Sequence, residues 1–274
     1  MTVLITGGTG NTGRPLADLL RARGVGVRVA SRHPAGADHV FFDWADPASH
    51  RTALAGVESV YLVQPIGAVD PMPLVRPFLD AVGDRPVVLL GSLAVVPDAP
   101  GIDELNRAVR AIPGAAVLRP SGFMQNFTGA HPVADAIRER GEFSTATGNG
   151  RIGWVDAEDI AAVAAELLAG RAERSEYVLT GPEALSCDEA AAVITEVTGR
   201  PVRHVGVSVA QRARMFAEFG VPEPFARGLA AIDADIRGGS EDRVTTDVAD
   251  VTGRAPRSLR DFVAAQLGPV TSMR

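Results

Sequence analysis

Three glycines spaced Gly7-x-x-Gly10-x-x-Gly13 follow the apolar run Val3-Leu4-Ile5 and open a stretch with helical spacing from Thr12 to Arg23. A strand that turns into a helix over such glycines can cradle a pyrophosphate. One glycine makes the tight turn, one lets backbone approach the phosphates, and one lets the helix pack on the strand. The helix N-terminus presents free N–H groups to the anion, and Arg14 could add a cation. The bland alternative is a strand-to-helix turn with no ligand. The end of the second apolar run reads Ala30-Ser31-Arg32-His33. An Asp or Glu there would take an NAD ribose, whereas a hydroxyl followed by a guanidinium suits the 2′-phosphate of NADP. NADP(H) is therefore favoured over NAD(H), against the alternative of Arg32 as an ordinary solvated arginine. Asp43 could bond an adenine amine or cap a helix.

The basic residues restrict the chemistry further. All 27 are arginine, so the chain has no lysine. Schiff-base chemistry, a P-loop lysine and any Tyr-Lys catalytic pair are excluded, while guanidiniums remain as permanently charged anion clamps.

The elements that must position these residues alternate between apolar runs and helical patterns, the rhythm of βαβ units. Strands are expected at Val3–Ile5, Val25–Ala30, His39–Phe42, Ser59–Val63, Pro86–Leu90 and Ala116–Leu118, with helices over Thr12–Arg23, Pro71–Val82 and Asp103–Ala111. The expected fold class is α/β: a Rossmann-type doubly wound parallel sheet with a smaller C-terminal substrate lobe. Residues 1–122 form the dinucleotide-binding domain and 123–274 the lobe, with 156–180 returning to the sheet through a seventh strand at Glu176–Leu179. Helices are expected over Pro132–Glu139, Asp156–Leu168 and Cys187–Val197, a Gly-rich stretch at Gly141–Gly153 and a short strand at Val202–Val207. From Val209 to Leu267 the pattern reads as helices punctuated by Gly and Pro, and substrate contacts are expected in Val209 to Ser240, which carries no transferable signature.

A formal charge of −6 without a basic run argues against nucleic acid. One cysteine, Cys187, excludes an intramolecular disulfide framework, and no apolar run approaches a membrane span. The first six residues are too short for a signal peptide, so the expectation is a cytoplasmic protein without membrane association. No metal site is expected, and monomer and homodimer both stay open.

The glycine turn, Leu118-Arg119-Pro120-Ser121-Gly122-Phe123-Met124-Gln125-Asn126-Phe127, Asp156-Ala157-Glu158-Asp159-Ile160-Ala161, Tyr177-Val178-Leu179-Thr180-Gly181-Pro182-Glu183 and Thr198-Gly199-Arg200-Pro201-Val202 together carry a likeness. The chain resembles the NmrA-like branch of atypical short-chain dehydrogenases/reductases, nearest to type 2 NAD(P)H:quinone oxidoreductases and ergot-alkaloid reductases, from Thr2 to about Leu267. The resemblance implies that Gly7, Thr9, Gly10, Asn11, Thr12 and Gly13 take the pyrophosphate and that Arg32, beside Ser31, takes the 2′-phosphate. It implies further that Gln64, Pro65 and Ile66 lie along the cofactor, that Gly91-Ser92 approaches the nicotinamide ribose, and that Ser121 to Asn126 borders the nicotinamide and substrate. Phe123, Met124, Phe127 and Trp154 could line an apolar pocket, though each also suits plain core.

The chain departs from the wider superfamily in lacking Tyr-x-x-x-Lys; its two tyrosines, Tyr61 and Tyr177, sit inside expected strands. Pro100-Gly101-Ile102-Asp103-Glu104 also lacks the His or Lys that NmrA-like relatives often carry there. No catalytic residue is assigned, and Ser92 is the weak candidate, equally suited to bonding the ribose. His131 reads first as a helix-start residue, Arg119 as the partner of an acid, Asp156 and Asp159 as capping and packing residues, and Cys187 as inert. Hydride transfer mainly needs placement and exclusion of water, so an already activated electrophile remains accessible. The leading expectation is an NADP(H)-dependent oxidoreductase acting on an apolar or aromatic quinone, enone or imine. The alternative is a non-catalytic NADP(H)-binding redox sensor, and an isomerase or cyclisation helper has a smaller share.

Overall fold

The computed structural model describes residues 1–268 apart from 66, 69, 95–98 and 171. Its first half runs β1 (Thr2–Ile5), α1 (Gly13–Ala22), β2 (Gly26–Ser31), β3 (His39–Phe41), α2 (Pro47–Leu54), β4 (Ser59–Val63), α3 (Met72–Val82), β5 (Val87–Leu90), α4 (Pro100–Arg110) and β6 (Ala116–Pro120). The second half begins with a 3-10 turn (Met124–Phe127), α5 (Pro132–Arg140), β7 (Glu142–Thr145), β8 (Arg151–Ile152), α6 (Ala157–Ala169) and β9 (Glu176–Leu179). It ends with β10 (Leu185–Ser186), α7 (Cys187–Thr198), β11 (Arg203–Gly206), α8 (Val209–Glu218), α9 (Glu223–Arg237), α10 (Asp247–Thr252) and α11 (Leu259–Leu267).

Seven of these strands form one sheet in the order β3-β2-β1-β4-β5-β6-β9, every pair parallel. The Val- and Leu-rich strands are buried on both faces, as a parallel sheet covered by helices requires. Leu16, Leu20, Ile160 and Leu168 cover one face. Met72, Phe78, Leu105 and Val109 cover the other. The strand order reverses between β1 and β4, so the loops after those two strands face each other at the switch point where such sheets hold ligands.

β9 leaves the second half of the chain and pairs with β6 from Val117↔Glu176 to Pro120↔Leu179. The remaining second-half elements surround a third core that includes Phe127, Phe143, Trp154, Ile194 and Phe262. Two small sheets brace it, β11 beside β7 and β10 beside β8. Helix starts here follow local rules: the Asp156 carboxylate accepts the Glu158 N–H at the start of α6, and Ser186 and Glu189 form a reciprocal capping box at α7.

The structure differs from the pattern reading at several places, and β10, of two residues, is one element the pattern did not show. α2 is absent from the expected helices, because its helical signal lies in the Asp46 cap and Pro47 rather than in an apolar stripe. α4 starts at Pro100, not Asp103, since proline is tolerated in a first helical turn. The Gly-rich stretch 141–153 carries β7 and β8, strands too short to print a period of two.

Candidate active site

The glycine turn closes on itself through Gly10 N–H to the Gly7 carbonyl (3.0 Å) and Arg14 N–H to the Gly10 carbonyl (3.1 Å). Gly7 sits at φ +66°, in the left-handed region. A Cβ on Gly13 would lie 2.3 Å from the Gly7 oxygen, so the helix can sit this close to the turn only with glycine. Gly8, absent from the expected set, is equally constrained: a Cβ there would lie 2.7 Å from Val29 Cγ1 on β2. Thr9, Gly10 and Asn11 stand exposed at the start of α1. Thr12 differs, since its side chain is buried and accepts a hydrogen bond from Tyr61 Oη (3.0 Å). Its hydroxyl therefore points into the core, leaving backbone as what Thr12 offers a phosphate.

At the end of β2, half-buried Ser31 precedes exposed Arg32, which forms no ion pair among the described residues. Ser31 Oγ accepts the His33 N–H (3.0 Å). Asp43 Oδ1 accepts the Ala45 N–H (2.9 Å), a local turn, while the cap of α2 is Asp46. Gln64 and Pro65 line a cleft of about 340 Å³ with Gly91 and Phe225. Ile66 lies outside the described residues. These features fit a dinucleotide: a glycine cradle that a Cβ would fill, exposed backbone at a helix start, and at the end of β2 a guanidinium in no ion pair among the described residues.

A second cavity of about 400 Å³ opens beside this cleft, and Gly91 lines both. Phe123, Phe127 and Trp154 form its apolar wall, Phe127 and Trp154 with ring centroids 4.7 Å apart. Met124 is a correction to the expected pocket: it is buried in the third core, against Gly181 and off the cavity lining. Phe123 and Phe127 line the cavity, whereas Met124 packs within the third core. Gly122 makes room for the indole, since a Cβ there would lie 2.8 Å from Trp154 Cε3.

Ser92 lines the cavity and is exposed. Arg119 holds its loop, donating from Nε to the Ser92 carbonyl (3.1 Å) and from Nη2 to that of Leu93 (3.2 Å), while Nη1 pairs with Glu176 (3.2 Å). The acid expected for Arg119 thus comes from β9. Asp156 and Asp159 are buried and pair with Arg257 and Arg254, away from the cavity. His131 caps α5 by accepting the Val133 N–H at Nδ1 and also lines the cavity; burial and nearby Arg212 hold its pKa below the usual histidine value.

Sequence reasoning missed the polar floor. Arg212 of α8 and Asp233 of α9 pair at 3.2 Å, and Asp233 also accepts the Ala146 N–H (2.8 Å). Cys187 starts α7 with its thiol taking hydrogen bonds from Thr147 (3.5 Å) and Thr145 (3.7 Å), and burial pushes that thiol up. A helix start alone would lower it, so desolvation wins. Glu241, between α9 and α10, is buried on the lining and accepts from Ser121 Oγ; burial pushes its carboxyl above the usual range. Arg212 and Asp233 fall in the stretch Val209–Ser240 where substrate contacts are expected, whereas Cys187 was read as inert and no local pattern marks Glu241. Among the described residues no acid, His or Cys cluster could hold a metal, and no helix is long and apolar enough to cross a membrane.

The parallel sheet and its switch-point glycine turn define a Rossmann-type NAD(P)-binding protein. No protein-family model matches the chain. The uncharacterized oxidoreductase YesF of Bacillus subtilis is 41% identical over 278 residues, covering 98% of this chain and 96% of that protein. The agroclavine dehydrogenase of Claviceps fusiformis is 36% identical over 281 residues, 96% of each chain. Among solved structures, the NADPH-dependent quinone oxidoreductase of Escherichia coli complexed with NADPH superposes with a TM-score of 0.80 over 96% of this chain and 99% of that one, at 23% identity. The chain belongs to the NmrA-like branch of the atypical short-chain dehydrogenases/reductases, a group of oxidoreductases.

Proposed function

We propose that the protein is an NADP(H)-dependent reductase of a small, apolar or aromatic, already activated electrophile of the quinone, enone or imine type. The observation that carries this reading is the junction at Gly91, which lines both an aromatic-walled cavity and the cleft behind the ends of β4 and β5, on the switch-point side of the sheet. In this reading residues 1–122 bind the dinucleotide and 123–274 form the substrate lobe, with 156–180 returned to the sheet. Gly7, Thr9, Gly10, Asn11, Gly13 and the Thr12 backbone hold the pyrophosphate, and Ser31 and Arg32 the 2′-phosphate. Asp43 turns toward the adenine, while Gln64, Pro65 and Ser92 border the nicotinamide end. When bound, the reduced nicotinamide supplies two electrons and one hydrogen to a substrate carbon.

The protein's part is placement. Phe123, Phe127 and Trp154 present flat apolar faces that orient a planar acceptor and exclude water. Arg119 fixes the Ser92 loop between the two cavities. Names of relatives agree with this chemistry: one is an agroclavine dehydrogenase and another, from Xenophilus azovorans, an NAD(P)H azoreductase.

Purified protein mixed with NADPH and a panel of quinones, enones and imines should consume NADPH, followed at the reduced-nicotinamide absorbance. Tight NADPH binding with no oxidation across the panel would overturn the reading in favour of a redox sensor.

A further inference from the structure

We infer that Glu241 is the catalytic acid of this pocket, holding a proton at Oε1 and giving it to the substrate as the substrate is reduced. The inference rests on the reductase reading. Glu241 is 4% exposed and lines the cavity, and its Oε2 takes the hydroxyl of Ser121 from the end of β6. That strand end is tied to the neighbouring loop by Leu93 N–H to the Pro120 carbonyl (2.9 Å), which sets Ser121 beside Gly91 and Ser92. The carboxyl group therefore belongs to the end of the cavity that meets the nucleotide cleft.

Other donors are placed elsewhere or already occupied. Tyr61 is fully buried under the glycine turn, and Tyr177 is buried with its Oη accepting the Arg174 N–H. The Cys187 thiol is held among threonines, and His131 spends Nδ1 on its helix cap. The charges facing Glu241 are few: Arg243 on its own loop, which favours the carboxylate, and across the cavity His131 and the paired Arg212 and Asp233. Desolvation outweighs the hydrogen bonds from Ser121 and the Gly122 backbone and the charge of Arg243, so the carboxyl lies above its usual range.

The step balances as follows. In an enone, the β-carbon is reduced with a hydride and the C=C π pair moves toward the carbonyl. The Glu241 O–H bond breaks, its proton joins the atom that receives that pair, and the carboxylate left on Ser121 is reprotonated from solvent. An iminium carbon that takes a hydride becomes a neutral amine and needs no proton.

This contrast sets the test. Glu241→Gln, which keeps an acceptor for Ser121, should slow NADPH-dependent enone reduction about 10²–10⁴-fold and leave reduction of an N-alkyl iminium within about threefold. Independently of turnover, infrared spectra of the ligand-free protein carrying ¹³C-labelled glutamate should show at neutral pH a protonated carboxyl band that Glu241→Gln removes. An unchanged enone rate, an equal loss on both substrates, or the absence of the band overturns the assignment. A wild-type protein that reduces neither substrate overturns the reductase reading and this role together, whereas failure of Glu241 alone leaves both wild-type reactions running.

Discussion

Tyr61 Oη donates to Thr12 Oγ1 across 3.0 Å, joining the middle of β4 to the residue that starts α1. One of the two tyrosines in the chain is thus a fastening beneath the glycine turn, and burial pushes its pKa far up. The phenol is kept neutral and out of the cavity. The bond also settles which way Thr12 faces, and so which atoms of the turn remain for a ligand.

Tyr61→Phe should leave turnover near wild type while lowering stability by about 1–3 kcal/mol, because a buried threonine hydroxyl loses its partner. Thermal unfolding should show a midpoint lower by several degrees. A collapse of kcat with an unchanged midpoint would mean that the phenol takes part in chemistry.

Arg32→Ala should weaken NADPH about 10- to 100-fold and NADH little, since a charge-assisted contact to a phosphate is lost only in the first. Fluorescence titration with both cofactors measures this. Equal losses would show that Arg32 is a plain surface arginine.

Asp233→Ala removes the partner of Arg212 and the acceptor of the Ala146 N–H. Both groups are largely buried, so a loss of about 3–5 kcal/mol is expected in urea unfolding. The double variant Asp233→Ala with Arg212→Met should recover part of that loss, because no unpaired charge remains in the cavity floor.

Glu241 predicts a pH trend with a definite sign. Its folded pKa lies above the unfolded value, so its contribution is complete below the ordinary carboxylate range and is lost as pH rises through the raised folded value. Across that window the wild type should lose stability relative to Glu241→Gln, and below it the difference should be constant. Parallel unfolding curves from acid to neutral pH would contradict the raised pKa.

Much of the nucleotide half was legible in the residues themselves. Short Val- and Leu-rich runs separated by helical spacing mark buried parallel strands, and Gly7, Gly10 and Gly13 mark a turn that side chains would block. Even β9 was readable, at Glu176–Leu179. Phe123, Phe127 and Trp154 could be proposed as a pocket from their types, but not separated from Met124, because which of these apolar side chains reaches the cavity is decided by packing and not by a local period.

By itself the sequence determined the sheet-forming runs, the glycine turn, Ser31-Arg32 and the absence of lysine, all of which are local patterns or bare composition. Tertiary structure decided what meets in the cavity. Ser121 and Glu241 are 120 residues apart, and Arg212 and Asp233 lie on different helices. No periodicity links such positions; only the packing of α8, α9 and the following loop over the end of β6 brings them together, and only the burial that results gives Glu241 its shifted proton affinity.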